Sequence, residues 1–171
     1  LADPHNLHNL IGSRKPAHQQ ARKALAQKLS RWMEKTRDLG FHPEEYLWEK
    51  TAQNNSTPYE LARDKVIANT TVRQAAERAG DPDANLDDLL ALLGKDDPLQ
   101  QYWGLLALGG TDLCESCFED LRYTLGDEHP GYIRTEAAAL LAQNDQPEGL
   151  ALLRETLRHN DPDTVLRAAR A

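Results

Sequence analysis

Few residues in this 171-residue chain have the types and spacing that chemistry needs. Cys114 and Cys117, its only cysteines, are spaced C-x-x-C. Zinc takes four ligands, and neither a second pair nor suitably spaced histidines accompany them. A redox C-x-x-C ordinarily opens a helix that follows a strand, and no strand pattern lies nearby. The pair therefore reads as structural thiols near the start of a helix leading to Phe118 and Leu121. Asp3, His5 and His8 form the other ligand-like cluster, in a turn-rich segment with no supporting carboxylate, and read as turn residues. His18, His42 and His159 read as isolated and exposed, and His129 as a helix-capping position. The G-x-S-x-G elbow, a glycine-rich phosphate loop, H-E-x-x-H and an EF-hand loop are all absent from the sequence. It assigns no catalytic residue, no cofactor-binding residue and no metal ligand to this chain.

The elements that would position any site are helical. Hydrophobic residues make up 40% of the chain and aromatics only 6%, a balance suited to helices built on Leu and Ala. No apolar run reaches the roughly 20 residues of a membrane-spanning helix, and no basic-then-apolar leader opens the sequence. Both ends read as cut, with Leu1 opening on Asp3-Pro4 and Ala171 falling inside a helical pattern. The net charge of −7 divides unevenly, +5 over residues 1–42 and −12 over the remainder. The basic part reads as one helix's solvent face, and the acidic remainder argues against nucleic acid and anionic lipid. Asp87-Asp88 and Glu119-Asp120 read as solvated faces in the same way. Sequons at Asn54, Asn55 and Asn69 are too short a signal to establish a secreted protein.

Residues 1–15 are turn-rich, and a long amphipathic helix starts near Pro16. Ala21, Leu25, Leu29, Trp32, Thr36 and Leu39 form its apolar stripe, and Gly40 is the expected terminator. Trp32 reads as packed. A short helix begins at Pro43, a polar linker spans 53–58, and helices follow over roughly 58–69 and 71–79. From there a repeat takes over. Pro98, Pro130 and Pro162 are each 32 residues apart, with Leu89/Leu121/Leu153 and Leu93/Leu125/Leu157 in matching positions. Such a period marks stacked helix pairs that bury their apolar faces only against neighbours. The leucines should share one continuous core. Asp97 and Asp161 precede the prolines as N-caps, and Ala137, Ala138, Ala139, Ala168 and Ala169 permit close helix approach.

Asp161-Pro162-Asp163-Thr164-Val165-Leu166-Arg167-Ala168-Ala169 resembles the first helix of a HEAT repeat, as does Pro130-Gly131-Tyr132-Ile133-Arg134-Thr135-Glu136-Ala137-Ala138. Leu166 departs from that pattern where Arg is common, and Gln101-Tyr102-Trp103 depart from it in the first unit. The expected fold is all-α: a HEAT-like α-α solenoid of about 32-residue repeats at 58–171, preceded by a helical connector at 16–57 that carries the long helix.

A second resemblance carries a function. Leu1-Ala2-Asp3-Pro4-His5-Asn6-Leu7-His8-Asn9-Leu10 resembles the closing segment of sulfatase catalytic domains. A helix carrying Leu25, Leu29, Trp32, Thr36 and Asp38 follows, then Phe41-His42-Pro43-Glu44 and Ser56-Thr57-Pro58-Tyr59-Glu60-Leu61-Ala62-Arg63. This order is similar to the C-terminal extension of bacterial sulfatases of the N-sulfoglucosamine sulfohydrolase (heparan N-sulfatase) type. The resemblance implies a parent hydrolysing sulfate esters or sulfamates on carbohydrates, using formylglycine and calcium, and periplasmic or secreted. Residues 1–15 would close a missing catalytic domain. The C/S-x-P-x-R signature is not in this chain, since Glu115-Ser116 follows Cys114 and Phe118-Glu119-Asp120 follows Cys117. The expected role is that of a non-catalytic module whose contact candidates are Leu7, Leu10, Ile11, Tyr46, Trp48 and Tyr102, with self-association as a consequence of an apolar patch. The other readings are a stand-alone HEAT interaction module and an enzyme built on the repeats themselves.

Overall fold

The computed structural model describes residues 8–67, 69–81, 83–158 and 162–170, with side chains in the last stretch from Val165 onward. Among these residues every regular element is a helix. In chain order they are α1 (Pro16–Thr36), α2 (Glu44–Asn54), α3 (Pro58–Arg63), α4 (Asn69–Ala79) and α5 (Leu86–Leu93), followed by α6 (Pro98–Leu108), α7 (Glu115–Tyr123), α8 (Gly131–Gln143), α9 (Pro147–Thr156) and α10 (Pro162–Arg170). The all-α solenoid expected from the repeat is the fold found.

Helix boundaries follow local chemistry. Asp97 caps α6 by accepting from the Leu99 backbone N–H at 3.0 Å, and Asn85 does the same for α5 through Asp88 at 2.8 Å. At α3, Thr57 and Glu60 satisfy each other's backbone N–H groups in a reciprocal capping box. Two expected caps are corrected. Helix α1 stops at Thr36, not at Gly40, because Arg37 takes the left-handed conformation (φ 56°) and the Asp38 N–H reaches back to the Met33 carbonyl at 3.0 Å. His129 does not cap α8: Pro130 holds the N-cap position, and the His129 ring meets the Gln101 side-chain oxygen at 3.3 Å. The expected cap Asp161 lies outside the described residues.

The 32-residue register becomes two layers. Helices α4, α6, α8 and α10 pack in succession on one side, while α5 and α7 pack together on the other and α9 lies across α8 and α10. Leu89, Leu93, Leu105, Leu108, Phe118, Leu121, Ile133 and Leu141 form the main core, contributed by α5 to α8. Ala138, Leu153 and Ala168 form a smaller one, and half-buried Leu125 packs against both. The expected continuous core is thus two clusters with Leu125 between them. Leu157 does not belong to either; at 45% exposure it sits just past the end of α9, where no following helix covers it among the described residues.

Close helix approach has a specific origin. A Cβ on Gly149 would lie 2.4 Å from the Ala138 carbonyl oxygen and 2.6 Å from the Ala142 nitrogen. Both are backbone atoms of α8 and cannot step aside. Replacing Gly149 by Ala gains about 1 kcal/mol of helix propensity, and separating two packed helices costs about 1–3 kcal/mol or more. Gly149→Ala should therefore lower stability despite the better helix former, seen as a lower urea midpoint. Leu121→Ala should cost about 2–5 kcal/mol, since its side chain is fully buried. Leu157→Ala should cost about 1 kcal/mol or less. Equal losses at the two leucines would refute this layering.

Candidate functional site

Helix α1 is 21 residues long, and Met33 is its one buried residue. Leu25, Leu29 and Trp32 follow one another at helical spacing and are 65%, 54% and 54% exposed. Trp32 is therefore not packed, contrary to the expectation from its place on the stripe. The apolar face is real, but it looks outward: the tie of Arg22 with Asp81 at 3.9 Å is polar, and the chain turns at Arg37 and brings the C-terminal end of α1 to the repeats. That end is fixed by polar contacts. Arg73 of α4 pairs with Glu34 at 3.7 Å, and the Asn69 amide donates to the Asp38 carbonyl at 2.6 Å. Leu10 and Ile11 lie exposed beside the start of α1, where Arg22 donates to the Ile11 carbonyl at 3.3 Å. Leu7, Asp3 and His5 lie outside the described residues. Leu25, Leu29 and Trp32 thus form an exposed apolar stripe on α1, and Leu10 and Ile11 add exposed apolar side chains in the segment before it.

The segment after α1 is docked tightly. The Trp103 indole N–H donates to the Phe41 carbonyl at 3.0 Å, and the two rings meet edge to face at 5.6 Å. His42 is buried, not exposed as expected: its ring stacks on Tyr46 at 5.6 Å, and its Nδ1 lies 3.3 Å from the Leu39 carbonyl. Tyr46 is half-buried against the main core, and burial, with Asp97 and Glu49 nearby, pushes its phenol above the ordinary range. Burial does the same to Tyr132. Of the aromatic contact candidates, Tyr46 and Tyr102 make their contacts within the chain, whereas Trp48 is half exposed on α2. Asn69, one of the three sequon residues, is half-buried and engaged with the Asp38 carbonyl.

An ionic clasp joins α2 to α10. The Arg167 guanidinium gives Glu45 two hydrogen bonds, at 2.8 and 2.6 Å, and a third to Glu136. It also lies over the Tyr102 ring, 5.7 Å from its centroid. This constellation borders a cavity of about 410 Å³ between α2, α8 and α10, with Glu44, Thr135 and Arg170 on its rim. Three of its charged groups, Arg167, Glu45 and Glu136, are paired with each other, which gives this side of the cavity the chemistry of a joint.

The residues that depart from the repeat pattern explain themselves here. Gln101 donates to the Leu93 and Lys95 carbonyls at 3.2 and 2.8 Å, satisfying the end of α5. Tyr102 lies under Arg167, and Trp103 holds Phe41. Trp103 is thus where the segment after α1 seats on the solenoid, while Gln101 and Tyr102 serve contacts within the repeats. The thiols part company: Cys117 is fully buried in α7, as structural thiols are, but Cys114 is exposed at the N-cap. Neither the sequence around them nor the burial of Cys117 fits a formylglycine precursor.

The clasp is open to measurement. Arg167 and Glu45 are both largely shielded from solvent, with side-chain exposures of 18% and 21%. A double-mutant cycle with Glu45→Gln and Arg167→Met should give a coupling of about 1–3 kcal/mol in urea unfolding. A coupling below about 0.3 kcal/mol, the range of solvent-screened surface pairs, would show that the clasp is ornamental.

No curated protein and no solved structure matches the chain. Residues 86–171, which take in α5 to α10 and half of the sequence, match the family profile described as HEAT repeats. The two-layered stack, the 32-residue period and the proline-started helices of that segment agree with the match, and the chain belongs to the HEAT-repeat family.

Proposed function

We propose that this chain is a non-catalytic helical-repeat module that seats α1 and the segment before it against the catalytic domain of a sulfatase-type hydrolase. The observation that carries the reading is the outward apolar stripe of Leu25, Leu29 and Trp32 on a helix with one buried residue, with Leu10 and Ile11 exposed in the segment before it. Exposed apolar groups gathered on one face mark an interaction surface. HEAT repeats supply a rigid scaffold for such a surface without chemistry of their own. The partner's class rests on the resemblance of Leu1 to Leu10, and of the motifs after it, to the closing segment and C-terminal extension of sulfatases. Formylglycine, calcium and the hydrolysis of sulfate esters or sulfamates would belong to that partner. Leu7 and Trp48 extend the proposed contact, and Tyr46 and Tyr102 would act behind it by holding α2 in place. A stand-alone interaction module is the competing reading, supported by the same face and by the repeats.

The test is hydrogen exchange of the full chain with and without a heparan N-sulfatase-type catalytic domain, at concentrations up to about millimolar, the effective concentration of a tethered domain. Protection confined to residues 10–36, and lost in Leu29→Ser/Trp32→Ser, is the expected result. Absence of protection there, or protection centred on α6 and α8, would overturn the assignment. Self-association through residues 10–36 without any response to the catalytic domain would favour the stand-alone module. The chain alone should turn over neither an aryl sulfate nor an N-sulfated sugar above a buffer blank.

A further inference from the structure

Helix α7 opens with Cys114-Glu115-Ser116-Cys117, and the two cysteines are not equivalent. Cys114 holds the N-cap position, exposed, with an extended backbone (φ −90°, ψ 162°). Cys117 lies one turn inside, fully buried beside Phe118 and Leu121. Their sulfurs are 2.6 Å apart, and the Ser116 hydroxyl is 3.1 Å from the Cys114 sulfur. One thiol can be reached from solvent, while the other can be reached only through the first.

We propose that Cys114 and Cys117 form a thiol–disulfide exchange site that acts on disulfides of cationic character, with Cys114 attacking and Cys117 resolving. The position favours the attacking form. A thiolate at a helix N-terminus is stabilised by the dipole and the free N–H groups of the first turn. The Cys117 thiol, and after it the Ser116 hydroxyl, draw the Cys114 thiol down to about 7, whereas burial pushes Cys117 up. Near neutrality a substantial share of Cys114 is thus ionised and Cys117 keeps its proton.

The exchange balances without a further reagent. The Cys114 thiolate attacks one sulfur of the substrate disulfide, that S–S bond breaks, and the departing thiolate takes a proton from solvent. Cys117 then loses its proton to solvent and attacks the Cys114 sulfur, expelling the second substrate thiolate, which is protonated in turn. The substrate gains two electrons and becomes two thiols, and the pair becomes a disulfide. A dithiol reductant returns it to the starting state. The cationic preference comes from charge: Asp112, Glu115, Glu119 and Asp120 flank the pair, and residues 43–171 carry a net −12.

Cystamine, a dication, and oxidised glutathione, an anion, distinguish the parts of this proposal when mixed with the full chain at pH 7 and followed by intact mass. The expected result is an internal disulfide in the native chain, formed at least about tenfold faster with cystamine at low salt, a ratio that shrinks as salt screens the field. Cys117→Ser should accumulate a cystamine adduct on Cys114, and Cys114→Ser should not react while folded. Cys114 is exposed, so Cys114→Ser should keep the native helical circular dichroism and stay interpretable even if Cys117→Ser misfolds. A native chain that keeps both thiols in excess cystamine, or stops at a stable adduct, would overturn the exchange site. Equal rates with the two disulfides would overturn the substrate class.

Discussion

The fold hangs on the close approach of successive helices within the repeat, most tightly where α8 and α9 meet. Gly149 places its Cα where any side chain would strike α8 backbone, and Ala138 and Leu153 fill the space around it. That contact fixes the distance between the two layers. Leu121 of α7 and Ile133 and Leu141 of α8 are then fully buried in the core they share with α5 and α6. A pair of helices this short, 13 and 10 residues, has little stability in isolation. Each pair is held by the next, so the spacing set at one interface propagates along the stack. The consequence is a scaffold stiff enough to present groups at defined positions, and Gln101 adds to it by satisfying the carbonyls at the end of α5.

Residues 41–46 are part of that scaffold rather than a tether to it. Phe41 on Trp103 and Glu45 on Arg167 lock them to helices α6 and α10, and His42 on Tyr46 braces the segment internally. The energetics differ along this line. The aromatic contacts remove apolar surface from water, which is favourable whatever the ionic strength. The Arg167 clasp offsets a desolvation cost against three hydrogen bonds and a ring, and its main product is geometry. It ties α2 to α10 across 122 residues of sequence. Beyond its last turn, helix α1 is tied by the solvent-exposed pair of Arg22 with Asp81 at 3.9 Å, and its Leu25, Leu29 and Trp32 stay exposed.

Legibility in the sequence follows the same division. The 32-residue prolines, the Leu89/Leu121/Leu153 register and the Asp97 cap were readable because period and capping are local rules. Leu157 belonged to the same register, yet burial depends on what packs next, and periodicity carries no information about a neighbour's presence. Trp32 shows this more sharply. Its stripe announces an apolar face but not which body covers it. His42 is buried with its ring stacked on Tyr46, a contact that residue type and spacing alone did not announce. Gly149 is a single glycine inside a helix pattern, meaningful only once α8 lies against it. The C-x-x-C pair was legible as a spacing, while the contrast between an exposed Cys114 and a buried Cys117 needed the helix start to be located. The sulfatase resemblance remains a reading of motifs at the other end of the chain.

Magnitudes bear on how the α1 face can work. Burying a large apolar side chain is worth about 1.5–3 kcal/mol when complete. Leu25, Leu29 and Trp32 already bury part of themselves, so the three together offer about 3–5 kcal/mol on that scale. Joining two free molecules costs about 4–15 kcal/mol in lost translation and rotation. The stripe alone therefore cannot hold a free partner tightly, even with Leu10 and Ile11 added. A partner joined through the same chain stands at an effective concentration near millimolar, and a contact of this strength then suffices to keep the two bodies closed. The size of the face thus suits a surface that organises a neighbouring domain in cis better than one that captures a protein from solution. It also suits α1's own construction: a helix that must fold before its partner is seated needs solubility, and its Lys23, Lys28 and Arg31 supply that on other faces. A larger stripe would bind more strongly and aggregate more readily, so the modest face is the one compatible with both demands.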